Sequence, residues 1–117
     1  MAMRPGQNQR RRADKGADMA FVQLIELTTS RIEEAESLLA EFRAATEGKR
    51  TARRSTLAAD RDRPNTYVTI VEFDSYESAM ENSRLPETGE FAQKLGALCD
   101  SPPTFRNLDV RRVEELG

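Results

Sequence analysis

A few side chains in this chain of 117 residues carry the atoms needed to handle a small molecule: Glu72, Asn82, Tyr67, Tyr76, Ser83 and Asn107. Glu72 stands in the otherwise apolar run Tyr67 to Phe73, YVTIVEF. A carboxylate among apolar neighbours is disfavoured in its charged form, and the raised pKa that results suits a general base. The competing reading, which the residue types favour, is a salt bridge to an arginine such as Arg54 or Arg112. Asn82 and Ser83 close a helix just ahead of Pro86, where an amide and a hydroxyl can meet a carbonyl or a phenolate. They can equally satisfy the carbonyls that a helix end leaves without partners. Tyr67 and Tyr76 offer phenolic hydroxyls to a substrate oxygen, although a buried tyrosine more often packs and makes one hydroxyl bond. Asn107 and Asp109 recur with a period of two on the last strand, either lining a pocket or tying strand ends together. The chemistry open to this set is removal of a proton and stabilisation of the anion left behind, with Glu72 and Asn82 as the catalytic pair.

Composition narrows the choice further. Histidine and tryptophan are both absent, which excludes a Ser-His-Asp triad, histidine acid–base chemistry and an axial histidine for haem. The single cysteine, Cys99, excludes a multi-cysteine zinc site and an internal disulfide. It reads as a small apolar residue near a helix end, and it fits a reducing cytoplasm. No GxxxxGK[ST] or GxGxxG phosphate cradle occurs. No metal and no cofactor is therefore expected. The net charge of −2 gives no general attraction to nucleic acid or an anionic membrane. No apolar run approaches the roughly 20 residues of a membrane span. Hydrophobic residues make up 38% of the chain and charged residues 32%, so a core must be compact or shared with a second subunit.

The elements that must position these side chains follow from periodicity. Ala20 to Thr28, AFVQLIELT, reads as a first strand. Ser30 and Glu33 form a capping box for a helix whose apolar stripe is Ile32, Ala35, Leu38, Leu39, Phe42 and Ala45, stopped at Gly48. Arg50 to Asp60 suits an edge strand, and Asp60 to Asn65 a turn back into an antiparallel neighbour. Tyr67 to Phe73 is the central strand. Asp74 then reads as a helix N-cap with Glu77 as its return partner. Pro86 begins a further helix carrying Phe91, Leu95 and Leu98. After Ser101-Pro102-Pro103, Thr104 to Glu114 reads as the last strand. The order predicts an α+β, ferredoxin-like βαββαβ fold, an antiparallel sheet with helices on one face.

The strand residues fall into two parity classes. Phe21, Ile25, Leu27, Tyr67, Val71, Phe73, Phe105 and Val113 form one; Val22, Leu24, Val68, Ile70, Leu108 and Val110 form the other. Neither is polar enough for open water. Helices cover one class, and a second copy packing sheet to sheet is the economical cover for the other.

At this point residues Ala20 to Glu115 resemble the antibiotic biosynthesis monooxygenase family of dimeric α/β barrel proteins. The resemblance rests on the helix after the first strand, the turn from Asp60 to Tyr67 and the run VEFDSYESAMENS. It implies a homodimeric barrel with a dry pocket, in which a small aromatic or polyketide-like compound is deprotonated and passes an electron to oxygen, often without metal or flavin. Where members often carry a tryptophan at the end of the central strand, this chain has Asp74. Where a histidine often sits in the next helix, it has Ser83, so the axial ligand of the haem-degrading relatives is missing. The reading is a cytoplasmic, cofactor-independent monooxygenase or related oxidoreductase, with Tyr67, Tyr76, Ser83 and Asn107 as ligand contacts. The alternative is a non-catalytic dimer of the same fold that binds a small hydrophobic or aromatic ligand. A nucleic-acid module ranks last, because the strands lack the aromatic and glycine run of RNA-recognition domains.

Residues 1–18 stand apart from the domain expected over 19–117. Arg4, Arg10, Arg11, Arg12 and Lys15 against Asp14 and Asp18 give a local net of +3, which leaves −5 for the remainder of a chain of net −2. With no Val, Ile, Leu or aromatic residue, this stretch is expected to be a disordered basic tail, or sequence upstream of a start at Met19; the alternative, a nucleic-acid-binding arm, ranks below these because three adjacent arginines supply only weak, salt-sensitive attraction.

Overall fold

The structure is a computed structural model that describes residues 20–117; the expected basic tail lies outside the described residues. The elements are β1 (Phe21–Thr28), α1 (Ile32–Ala45), β2 (Arg54–Ala59), β3 (Thr66–Phe73), α2 (Tyr76–Ser83), α3 (Pro86–Leu98) and β4 (Thr104–Asp109). The strands form a single antiparallel sheet of order β2-β3-β1-β4. This is the ferredoxin-like arrangement that the sequence predicts, with the helices on one face.

Register explains which residues meet the helices. Phe21, Gln23, Ile25 and Leu27 pair with Phe73, Val71, Thr69 and Tyr67, so these eight share one side of the pleat. Ile25 and Leu27 pack with Ala35, Leu38 and Leu95 from the helices, and Phe21 packs with Phe73 and Ala79. Thr29 fastens the two long helices to the strand end. It is fully buried; its Oγ1 donates to the Leu98 carbonyl at 2.6 Å and accepts from the Arg31 amide at 2.9 Å. Thr29→Val keeps the shape and removes both bonds, leaving a buried carbonyl and a helix N–H without partners. We expect a loss of about 1–3 kcal/mol, read from the urea midpoint.

The expected caps shift by a residue. At α1 the expected Ser30 cap does not form: the N-cap is Arg31, with no side-chain cap bond, and Thr29 Oγ1 accepts from the Arg31 amide. At α2 the N-cap is Ser75, whose Oγ accepts from the Ser78 amide at 3.0 Å. Asp74 is instead turned toward Arg53, 3.1 Å away, because the β2–β3 pairing sets the arginine beside it. The break before Pro86 and the positive φ of Gly48 are as expected.

Two strands are shorter than expected. β2 spans Arg54 to Ala59 and lies at the sheet edge. β4 stops at Asp109, not Glu114, because its partner β1 begins at Phe21, opposite Asp109, and the last rung is Val110 N–H to the Ala20 carbonyl. Beyond it Val113 and Leu116 are exposed.

The turn between β2 and β3 is built on Asp60, as the sequence implies. Its side chain accepts from the Asp62 amide and from Arg63 Nε, each at 2.9 Å, and Asn65 takes a φ of 60°. The Asp62 bond, then the Arg63 bond, hold the Asp60 carboxyl below its ordinary value. A carboxylate depressed in the folded state stabilises the fold above its unfolded pKa, and that contribution fades as pH falls through the folded value. Asp60→Asn should therefore flatten part of the loss of stability below about pH 4, seen by comparing Tm against pH for the two proteins.

Candidate functional site

The other side of the sheet carries Val22, Leu24, Val68, Ile70 and Leu108, partly exposed, with no helix over them among the described residues. Ion pairs bracket this apolar centre. Arg54 Nε lies 2.9 Å from Glu72 at one end. At the other, Glu26 lies 3.7 Å from Arg63 and 3.8 Å from Arg106. Glu72 thus faces away from the helices and is engaged by Arg54, one of the two arginine partners weighed for it.

Asn82 is buried in the last turn of α2. Its Oδ1 accepts from the Thr51 amide at 3.0 Å, and Thr51 Oγ1 donates to the Ser78 carbonyl. Thr88 Oγ1 donates to the Asn82 carbonyl at 2.7 Å. The side chain therefore clamps the chain entering β2 onto α2, and the Thr51 N–H fixes which end of the amide is oxygen. Ser83 is exposed, its Oγ donating to the Met80 carbonyl at 2.9 Å. Tyr67 shares the helix side of the sheet, opposite Leu27 and Ala59. It lies six residues from Phe73, on the order of 20 Å along the strand.

Tyr76 and Asn107 both lie toward the opposite end, where β1 begins. The Tyr76 ring stands edge-on to Phe21, centroids 5.5 Å apart. Phe21 pairs with Asp109, and Gln23, next on the same side, donates through Nε2 to Asn107 Oδ1 at 3.1 Å. Phe105, half exposed, continues the same side of β4. This end of the sheet carries a phenol, two amides and the Asp109 carboxylate around Phe21. Phe21 is only 3% exposed, so the ring face open to a ligand is that of the half-exposed Tyr76, and the tyrosine hydroxyl and the amide N–H groups are the donors on this side of the sheet. Gln23 was not singled out from sequence. It sits in a strand whose other helix-side residues are apolar, and that exception was its one signal.

Two clefts, of about 120 and 300 Å³, lie between α1 and α3, away from this patch. Among the described residues no group of three or more acidic, cysteine or histidine side chains is placed to hold a metal ion. Cys99 packs against the main core, and burial, with Asp100 beside it, pushes its thiol pKa up. No described helix is long and apolar enough to cross a membrane.

No family model and no curated protein matches the chain. Solved structures do. One is SnoaB, a cofactor-independent oxygenase from Streptomyces nogalater, at 22% identity over 82% of this chain and 96% of that one, with a TM-score of 0.66. The chain has the fold of the antibiotic biosynthesis monooxygenases. A protein named simply as an antibiotic biosynthesis monooxygenase matches at 14% identity over 79% of this chain and 99% of its own, TM-score 0.64. A conserved protein from Methanosarcina mazei matches at 11% identity over 81% and 96%, TM-score 0.70. At these identities the likeness is one of fold.

Proposed function

We propose that this chain is a homodimeric, cytoplasmic, cofactor-independent monooxygenase acting on a small aromatic or polyketide-like compound. The observation that carries this reading is the patch of Phe21, Tyr76, Gln23 and Asn107 at the start of β1, on the fold that SnoaB shares. In this reading the substrate loses a proton, and its anion passes one electron to dioxygen. Recombination of the substrate radical with superoxide forms the carbon–oxygen bond of a peroxide; the peroxide takes up a proton, and loss of the second proton from the same carbon breaks the O–O bond, releasing water and leaving a carbonyl product. The protein supplies donors to the anion and shields it from water. In this reading Tyr76 and the two amides are those donors, and the Asp109 carboxylate accepts the proton.

Oxygen uptake with an activated phenolic substrate tests the proposal. The wild-type protein should consume oxygen, and Tyr76→Phe with Asn107→Ala should lower kcat/KM by about 100-fold, the scale of losing an oxyanion donor. Glu72→Gln and Asn82→Ala belong in the same assay; lost turnover with an intact fold would return the acid–base role to them. The second reading is a non-catalytic binder, which the exposure of Tyr76 and Asn107 favours. Ligand binding that weakens in Tyr76→Phe, with no oxygen uptake, would establish it.

A further inference from the structure

α2 carries Tyr76 in its first turn, yet little apolar surface holds the helix in place. It has eight residues, of which Ala79 and Asn82 are buried. A helix shorter than about 12–15 residues is marginal by itself in water, and one buried alanine methyl adds little to it. Much of the remaining attachment is polar, and it comes from residues 51–53, which lead into β2. The Thr51 amide donates to Asn82 Oδ1 at 3.0 Å, in the last turn of α2. Thr51 Oγ1 donates to the Ser78 carbonyl, one turn earlier. Ala52 packs against the cluster of Phe21, Phe73 and Ala79. Arg53 Nε lies 3.1 Å from Asp74 Oδ1, just ahead of the Ser75 cap.

This segment is itself anchored at both ends. The Arg53 amide donates to the Glu72 carbonyl at 2.7 Å, one rung beyond the β2–β3 ladder. Arg50, through Nη1, donates to the Arg43 carbonyl at 2.7 Å, in the last turn of α1. Thr88 ties the far end of α2 to α3. The part of α2 that depends most on residues 51–53 is therefore its beginning, where Tyr76 lies. The Tyr76 ring is half exposed and meets Phe21 edge-on. That one contact cannot fix the ring unless the first turn beneath it is ordered.

We propose that residues 51–53, acting through Thr51 and Asn82, are what hold Tyr76 in position at the candidate site. Asn82 is then a positioning residue, and its effect on a reaction passes through Tyr76. That last step rests on the oxygenase reading above; the attachment does not.

Hydrogen exchange on the full-length protein tests the attachment, with Thr51→Val removing the Oγ1 tie and Thr51→Ser keeping it. In Thr51→Val the amides of α2 should exchange about fivefold faster, the scale of one hydrogen bond. Those of α1, α3 and β1 should keep their rates, and Thr51→Ser should match wild type. The chain has two tyrosines and no tryptophan. In a Tyr67→Phe background, the tyrosine band of the near-ultraviolet circular dichroism therefore reports Tyr76 alone. That band should weaken with Thr51→Val and return with Thr51→Ser. In the oxygen-uptake assay Thr51→Val should lower kcat/KM, and it should add no further loss once Tyr76→Phe is present. Unchanged α2 exchange with an unchanged tyrosine band in Thr51→Val would overturn the proposal. So would faster exchange spread evenly over α1, α2 and α3. Asn82→Ala that loses turnover while keeping the Tyr76 band would show that Asn82 acts directly, and would overturn its positioning role. Wild type that consumes no oxygen would overturn the catalytic half alone, and exchange and dichroism then decide the attachment.

Discussion

Replacing Leu27 by alanine should remove about 2–5 kcal/mol of stability, the measured range for deleting a buried leucine side chain without full collapse around it. Leu27 is 1% exposed. It lies where β1, α1 and α3 converge, within the cluster of Ile25, Ala35, Leu38 and Leu95. Collapse into the space is restricted from three directions. The strand is held between β3 and β4, Ala35 has only a methyl group and no rotamer to extend, and Thr29 fixes the adjoining chain to Leu98. The cost should therefore fall in the upper half of that range. For a domain whose whole stability is on the order of 5–15 kcal/mol, that is a large share. Urea unfolding at fixed protein concentration should show a lower midpoint with an unchanged slope. A shift under about 1 kcal/mol would mean that this cluster is not the core on which the domain rests.

What was legible in the sequence is what depends on alternation and spacing along one strand or helix. Phe21, Ile25 and Leu27 announce a buried side of β1, and Phe73 a buried end of β3, because burial repeats with the pleat. The break at Pro86 and the turn at Asp60 were legible because proline and aspartate act on their own backbone. What was not legible depends on partners far away in sequence. Asp74 has the chemistry of an N-cap, yet Arg53 comes beside it through the β2–β3 pairing, and Ser75 caps instead. The end of β4 is set by where β1 starts, more than 80 residues earlier. Among the candidate site residues, types were readable and grouping was not. Tyr67 and Tyr76 differ by nine positions but lie toward opposite ends of the sheet's helix side. Gln23 and Asn107 are 84 positions apart and share a hydrogen bond. Glu72 was read as either base or ion-pair partner; register places Arg54 directly across from it.

Placing carboxylates on the uncovered side of the sheet should convert a dimer into a less stable monomer. Leu24 and Ile70 pair directly across β1 and β3, near the middle of the apolar surface that also holds Val22, Val68 and Leu108. Proteins that stay monomeric seldom expose a continuous apolar patch of more than a few hundred Å². In a two-fold dimer the same patch meets itself, so each substitution is felt twice. In the proposed sheet-to-sheet dimer the Leu24→Glu side chain would face Arg106 across the β1–β4 pair, while the Ile70→Glu side chain would be buried without a partner, at several kcal/mol. Dissociation should rise by at least about 100-fold in Kd, or roughly 3 kcal/mol, measured by sedimentation at micromolar concentration. The helix-side core is untouched, so the monomer should keep its circular dichroism spectrum while its Tm falls. Mixing this variant with Leu24→Lys/Ile70→Lys should recover a mixed dimer, because opposite charges then face each other across the two-fold axis. General destabilisation would give no such recovery. Wild-type protein that sediments as a stable monomer would refute the dimer and leave the sheet surface to a different partner.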